Sequence, residues 1–361
     1  MGQRRRKGNF APDRELRTIR WEGPQYPKFP DKYPTHHHCL HADTNQINFI
    51  SSHNRLTSGI FLFLTIGLLG ATEISLKTQK WVQCLAFSPD GQRVVAGNDE
   101  GRLWVVDART AKTVMQIKDV ASGPTAVAWS HKGKLIAVGG WRGGVHVCEA
   151  KSGKVLARWR GHKENITSIV FSRDDKYLAT GSGDDTAKVW SVRGGEPLLT
   201  MEQGDEYDVT GVAFSPDGNQ LLTGDGENRV KLWDTRTGEE QRVLGAHSEA
   251  VSAVGWSANG RWAASGAWDD TLKLWDPAKG ELVRTLRGHT DDITALAFSA
   301  KGERLISASD DRTVCVWNPG TGKLLQIFKG HTGPVISLAI SPNGERAVSG
   351  SRGELKFWDL K

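Results

Sequence analysis

A short motif that returns about every 42 residues constrains this chain more than any other feature. A run of β-branched or apolar residues ends in an aromatic, often followed by Asp: LWVVD (103–107), VHVCE (145–149), AKVWS (187–191), VKLWD (230–234), LKLWD (272–276), VCVWN (314–318) and LKFWD (355–359). The equivalent positions are Val106, Cys148, Trp190, Trp233, Trp275, Trp317 and Trp358, at intervals of 42, 42, 43, 42, 42 and 41. A period of this length means a supersecondary unit that cannot bury its apolar faces alone and needs its neighbours.

Each period carries the same short strands. An alternating segment ends in an aromatic or apolar residue and Ser, as in CLAFS (84–88), SIVFS (168–172), ALAFS (295–299) and SLAIS (337–341). Tight turns follow, for example Pro89-Asp90-Gly91, Pro216-Asp217-Gly218 and Pro342-Asn343-Gly344. Pro presets φ and Gly accepts positive φ, so these read as hairpin turns. Composition agrees: 14 Trp and 41 Gly in 361 residues fit neither a disordered chain nor a helical bundle. Four antiparallel strands per period describe one blade of a propeller.

Trp-Asp at 233–234, 275–276 and 358–359, with Gly-His at 161–162, 288–289 and 330–331, resembles the WD-repeat β-propeller family. Ala246-His247 is a variant of the second pair, and the resemblance covers residues 72–361. It implies an all-β fold: a seven-bladed β-propeller of four-stranded antiparallel blades, closed by an N-terminal strand, with an irregular N-terminal tail. The last Trp-Asp lies two residues from the C-terminus, so the seventh blade lacks its outer strand, and 73–78 is expected to supply it. Such a clasp removes two open sheet edges.

Three sets of side chains look at first like hydrolase triads. They are His162/Thr180/Asp184 with Trp190, His247/Ser265/Asp269 with Trp275, and His289/Ser307/Asp311 with Trp317. A nucleophile is needed once, in one cleft, whereas three copies around a ring argue for a repeated structural task. The resemblance implies a hydrogen-bond chain from Asp through His and Ser/Thr to the indole N–H, satisfying groups that are costly to bury alone. The other four repeats depart from this pattern and are expected to be less tightly tied. The last keeps His331, Ser349 and Trp358 but has no Asp. No phosphate-binding loop, nucleophile elbow or zinc-protease motif is present, so no enzyme and no cofactor is expected.

The resemblance places partner binding on the loop end of the propeller. Trp81, Trp141, Tyr207 and Trp268 fall at loop positions rather than at the repeated Trp, and aromatics on loops are frequent interface anchors. Packing on neighbouring turns is their plainer reading. Acids gather at the same positions, Asp208, Asp291 and Asp292 among them, which would favour a basic peptide or protein.

The tail differs in charge from the rest. Residues 1–71 hold ten Lys/Arg and five Asp/Glu, whereas 72–361 hold 37 and 36. A body this close to neutral gives no support for a nucleic-acid groove, and no specific nucleic acid is expected. The set His36, His37, His38, Cys39, His41 and His53 lacks the paired spacing of a structural zinc site, so no metal is assigned. Residues 56–72 carry no charge, yet 17 residues fall short of the roughly 20 that span a bilayer.

The expected organisation is therefore a basic, Pro/His-rich tail over 1–71, poorly ordered, and a propeller over 72–361. The expected function is a non-catalytic, cytoplasmic scaffold for protein–protein interactions, a monomeric propeller within complexes. A membrane-tethered or exported sensor, using 56–72, is the alternative, and a hydrolase is a distant third.

Overall fold

The computed structural model describes residues 74–360 except 119, 121–122 and 205–206. The tail 1–71, the apolar run 56–72 and Glu73 lie outside the described residues. The described chain is built of antiparallel strands, with one 3-10 turn at Trp141–Gly143 and no α-helix among the described residues.

Seven separate blades are not what the hydrogen bonds draw. There are six sheets, five of four strands and one of six. The cause lies in two strands of 14 residues, Ile74–Phe87 and Arg346–Asp359, which run on where the repeat leads one to expect a break. Ile74–Lys77 pair antiparallel with Glu354–Phe357, and after an irregularity Val82–Phe87 pair with Val94–Asn98. The first and last repeats are thereby joined into one six-stranded sheet. N-terminal and C-terminal segments meet in it, so the circle is closed by backbone hydrogen bonds rather than by a covalent link.

One inner strand from each repeat faces the centre: the second part of Ile74–Phe87, then Pro124–Trp129, Ile166–Phe171, Val209–Phe214, Val251–Trp256, Ile293–Phe298 and Val335–Ile340. Each packs on the next, and the last packs on the first. Hydroxyls staple neighbours together. Thr125 donates to Ile166 O at 2.5 Å, Thr294 to Val335 O at 2.5 Å and Ser337 to Val82 O at 2.7 Å, and Thr167 and Ser252 do the same to Val209 and Ile293.

The core lies in layers between sheets rather than in one centre. Ala126, Val145 and Val147 of the second repeat pack on Ile169, Phe171, Leu178 and Trp190 of the third. Ala179, Val189 and Met201 then meet Val212, Leu221 and Trp233 of the fourth. Close approach requires a small residue at the contact. A Cβ on Gly139 would stand 2.4 Å from Ile166 of the next inner strand, and one on Gly266 2.4 Å from Ile293.

Phe357, fully buried in the sheet that joins the two ends, tests that joint. Phe357→Ala should cost about 3–5 kcal/mol, read as a lowered midpoint of urea unfolding. Leu156→Ala, at a side chain 54% exposed, should change it by no more than about 0.5 kcal/mol.

Candidate functional site

The three predicted side-chain sets converge in space. Trp190 Nε1 donates to Thr180 Oγ1 at 2.8 Å, Thr180 lies 2.7 Å from His162 Nε2, and His162 Nδ1 lies 2.9 and 3.0 Å from the Asp184 oxygens. Trp275, Ser265, His247 and Asp269 repeat this at 2.9, 2.7 and 3.0–3.1 Å. Trp317, Ser307, His289 and Asp311 repeat it at 2.9, 2.8 and 2.7 Å. An ionised carboxylate only accepts, so Nδ1 carries the imidazole proton; the neutral ring then accepts at Nε2 from the hydroxyl, which accepts from the indole. All donors in the chain point one way.

Each carboxylate also holds a loop. Asp184 accepts from the Lys163 N–H at 2.8 Å, Asp269 from Ser248 at 3.0 Å and Asp311 from Thr290 at 3.2 Å. The connection into each inner strand is thus clamped to a turn of its own sheet. The residue after each Asp adopts positive φ, at Asp185, Asp270 and Arg312.

Two further networks were missed by sequence reasoning. In the last repeat Glu354 replaces the absent Asp: His331 Nδ1 is 3.0 Å from Glu354 Oε1, Nε2 is 2.6 Å from Ser349, and Trp358 donates to Ser349 at 2.7 Å. The turn is one residue shorter here, and the longer Glu side chain makes up the distance from the following strand. The expectation that this repeat is less tied is corrected by these bonds. In the fourth repeat Gln203, 2% exposed, stands 2.9 Å from Thr223, to which Trp233 donates at 2.9 Å. A His-directed motif search cannot find a Gln.

Of the partner-binding candidates, Trp268, Asp291 and Asp292 lie on loops that these clamps hold, whereas Trp81, Trp141, Tyr207 and Asp208 lie on the equivalent loops of repeats without a His–carboxylate pair. Backbone N–H groups of Asp99, Trp141, Gly226, Trp268 and Asp310 donate to the carbonyls of Trp81, Gly123, Asp208, Ala250 and Asp292 at 3.0–3.4 Å. Trp81, Trp141, Tyr207, Asp208, Trp268 and Asp292 are half-buried, and Asp291 is exposed. Trp141 lies against Gly123, where a Cβ would come within 2.6 Å of its ring. The Arg229 guanidinium stands 5.5 Å from the Tyr207 ring. Packing on neighbours therefore occupies part of both aromatic surfaces.

Asp291 and Asp292 meet a residue not singled out before, Asp270, with carboxylate oxygens within 4.8 Å of one another. Burial, then the charges of Asp291, Asp310 and Asp270, push the Asp292 carboxyl up to about 6. Burial, then Asp291 and Asp311, push Asp310 up to about 6. The group repels itself at neutral pH and would welcome a cationic ligand, whether a metal ion or a Lys or Arg side chain.

The clamping carboxylates behave oppositely. Burial alone would raise Asp269, but hydrogen bonds from Thr271, the Ser248 N–H and His247 outweigh it and hold its carboxyl at about 2. Asp184 and Asp311 are held well below the usual range by the same balance. Burial lowers His247 more than Asp269 raises it.

Two pH trends follow. The clamping Asp residues contribute fully above pH ~4, their unfolded range, and lose that contribution as pH falls towards 2. His247 adds a loss below about pH 6.5, where the unfolded imidazole protonates before the folded one. Thermal melts of the Asp269→Asn protein should accordingly show a destabilisation at pH 7 that shrinks by pH 3. Asp292 is raised, so its cost is present at neutral pH and relieved between about 6 and 4. Asp292→Asn should stabilise at pH 7.5 by about 1 kcal/mol, allowing for solvent screening, and by nothing measurable at pH 4.

Comparison with known families bears on the whole described region. The family model described as WD domain, G-beta repeat matches residues 238–276, 280–318 and 322–359. The model described as Nucleolar protein 10-like, N-terminal domain matches residues 69–248. No curated protein gives a significant match. Matched along its repeats from residue 69 to residue 359, and folded into antiparallel sheets around a common centre, the chain belongs to the WD-repeat β-propeller family.

Proposed function

We propose that the protein is a non-catalytic scaffold that recruits a basic peptide segment of another protein to the loop end of its propeller. The observation that carries this reading is the group of Asp270, Asp291 and Asp292 carboxylates on loops held by the clamping networks. A Lys or Arg side chain would relieve the repulsion that raises Asp292, and Trp268, on the turn that leads into Asp269 and Asp270, offers apolar contact beside it. Trp81, Trp141, Tyr207 and Asp208, on the corresponding loops of the first, second and fourth repeats, would extend the contact.

The hydrolase reading loses its support in the burial of its nucleophiles. Thr180, Ser265 and Ser307 are fully buried, and each hydroxyl already serves an indole and an imidazole. Labelling of Ser265 or Ser307 by a serine-reactive fluorophosphonate would restore it. No helix among the described residues is long and apolar enough to cross a membrane, and the run 56–72 invoked for the tethered alternative lies outside them. The name of the nucleolar family matched over 69–248 favours a nuclear site of action over the cytoplasmic one expected from the sequence; a fluorescent fusion excluded from the nucleus would reverse this.

Calorimetry with a nonamer of arginine tests the binding reading, with a nonamer of glutamine as control. The Asp291→Asn/Asp292→Asn double variant and Trp268→Ala should each weaken arginine-peptide binding by about tenfold, roughly 1.4 kcal/mol. Affinity should also fall as pH drops through about 6, where Asp292 and Asp310 take up protons. Unchanged affinity in both variants would place the partner elsewhere.

A further inference from the structure

The near-neutral charge of the propeller conceals a strong local imbalance. Residues 108–163 contain eleven Lys and Arg against two acids, Asp119 and Glu149. All eleven cations are exposed. Among the described residues Lys118, Lys151, Lys154, Arg158 and Arg160 make no ion pair. Glu149 is engaged by the Ser152 hydroxyl, and Asp119 lies outside the described residues.

Five of these cations share one part of the molecule. The outer strand of the second repeat, Val155–Arg160, points Leu156, Arg158 and Arg160 to solvent, and the turn before it carries Lys151 and Lys154. That turn packs against the outer strand of the first repeat, Thr113–Ile117, where a Cβ on Gly153 would lie 3.2 Å from Ile117 and 3.4 Å from Met115. Between the two runs a cleft of about 340 Å³, lined by Gln116, Lys118, Ser152, Gly153, Lys154, Val155 and Arg158. Three cations, an amide and a hydroxyl line it, and no carboxylate does.

We propose that this cleft and its flanking strand bind the phosphodiester backbone of a single-stranded nucleic acid. Phosphate oxygens are held by Arg, Lys, Ser and Gln side chains and by backbone N–H groups, the donors present here. Cores of protein–protein interfaces are depleted in Lys and enriched in aromatics, whereas this surface is Lys-rich with no exposed aromatic in the cleft. None of the five exposed cations has an ion-pair partner among the described residues, and a ligand with a charge on every unit supplies one along the whole strand. The site lies on the outer strands of the first two repeats, away from the acidic loops of the fifth and sixth, so the two surfaces are separable.

Fluorescence anisotropy with a labelled 20-nucleotide uridine RNA and the full chain tests this. The triple variant Lys118→Glu/Lys154→Glu/Arg158→Glu should bind at least tenfold more weakly, and its salt dependence should flatten by about 2 in log–log slope, about 0.7 for each lost phosphate contact. A second triple variant with Gln at the same positions should show the same direction with an unchanged melting temperature, which separates lost contact from lost fold. Lys176→Glu/Lys279→Glu/Lys301→Glu, an equal charge change at exposed positions elsewhere, should stay within twofold of the parent. Equal loss in that control would reduce the effect to net charge and overturn the proposal. So would undiminished binding in both cleft variants. Competition by polyglutamate as effective as that by unlabelled RNA would assign the surface to an acidic protein instead.

Discussion

The indole N–H of the repeated Trp sets the direction of everything around it. It can only donate, and the carboxylate at the far end can only accept; with both ends fixed, the imidazole presents Nδ1–H to the carboxylate and takes the hydroxyl proton at Nε2. Four repeats complete this sequence, with Trp190, Trp275, Trp317 and Trp358 at 1–5% exposure at its buried end. The carboxylate at the far end holds a backbone N–H of the connecting loop. A buried core residue is thereby coupled to the geometry of a solvent-facing loop, and the loops that carry Trp268, Asp270, Asp291 and Asp292 inherit their rigidity from the core. A partly satisfied network of this kind would be worse than none, since a buried unpaired donor costs about 1–3 kcal/mol. The fourth repeat carries such a cost, for Gln203 meets Thr223 through its amide nitrogen while its buried Oε1 finds no partner among the described residues.

The substitutions show how loosely the chemistry is tied to residue names. Glu354 does in the last repeat what Asp does elsewhere because the turn is one residue shorter and the carboxylate starts from the strand. Gln203 meets Thr223 in place of an imidazole. In the first two repeats Val106 and Cys148 stand at the Trp position, both fully buried, and the Cys148 thiol is pushed up to about 11 by burial, so it packs as an apolar group. Only the position persists through all seven repeats. It is the place where a strand must fill the layer against the preceding sheet.

Legibility in the sequence followed the same division. Strand positions and turns were readable because period, turn chemistry and apolar alternation all reported the same backbone. The three full side-chain sets were readable because their residue types recur at constant spacing. Glu354 and Gln203 were not, since each fills its role with a different residue at a shifted spacing. Joining of the first and last repeats into one sheet of six strands was also out of reach. Pairing of Ile74–Lys77 with Glu354–Phe357 was foreseeable from the missing outer strand, but the continuity of Ile74–Phe87 and Arg346–Asp359 depends on backbone geometry that no residue pattern announces. Asp270 escaped notice because its importance comes from Asp291 and Asp292 of the next repeat, and a repeat alignment compares equivalent positions rather than neighbours across a gap.

Net charge is silent on placement for a related reason. Summed over 72–361 the cations and anions nearly cancel, and the sum discards where each lies. In a ring of repeats position along the chain is position around the ring, so a charge imbalance over 56 residues becomes a charged sector of the molecule. The second repeat turns cations outward on its outer strand, and the fifth and sixth gather carboxylates on their loops. Interaction between exposed charges across water falls off within a Debye length of about 8 Å at physiological salt, so each sector's field is local to it. A single domain held together by identical contacts can in this way present two surfaces of opposite sign. The contacts that build the fold lie between sheets, which leaves the loop ends and outer strands of each repeat free to differ.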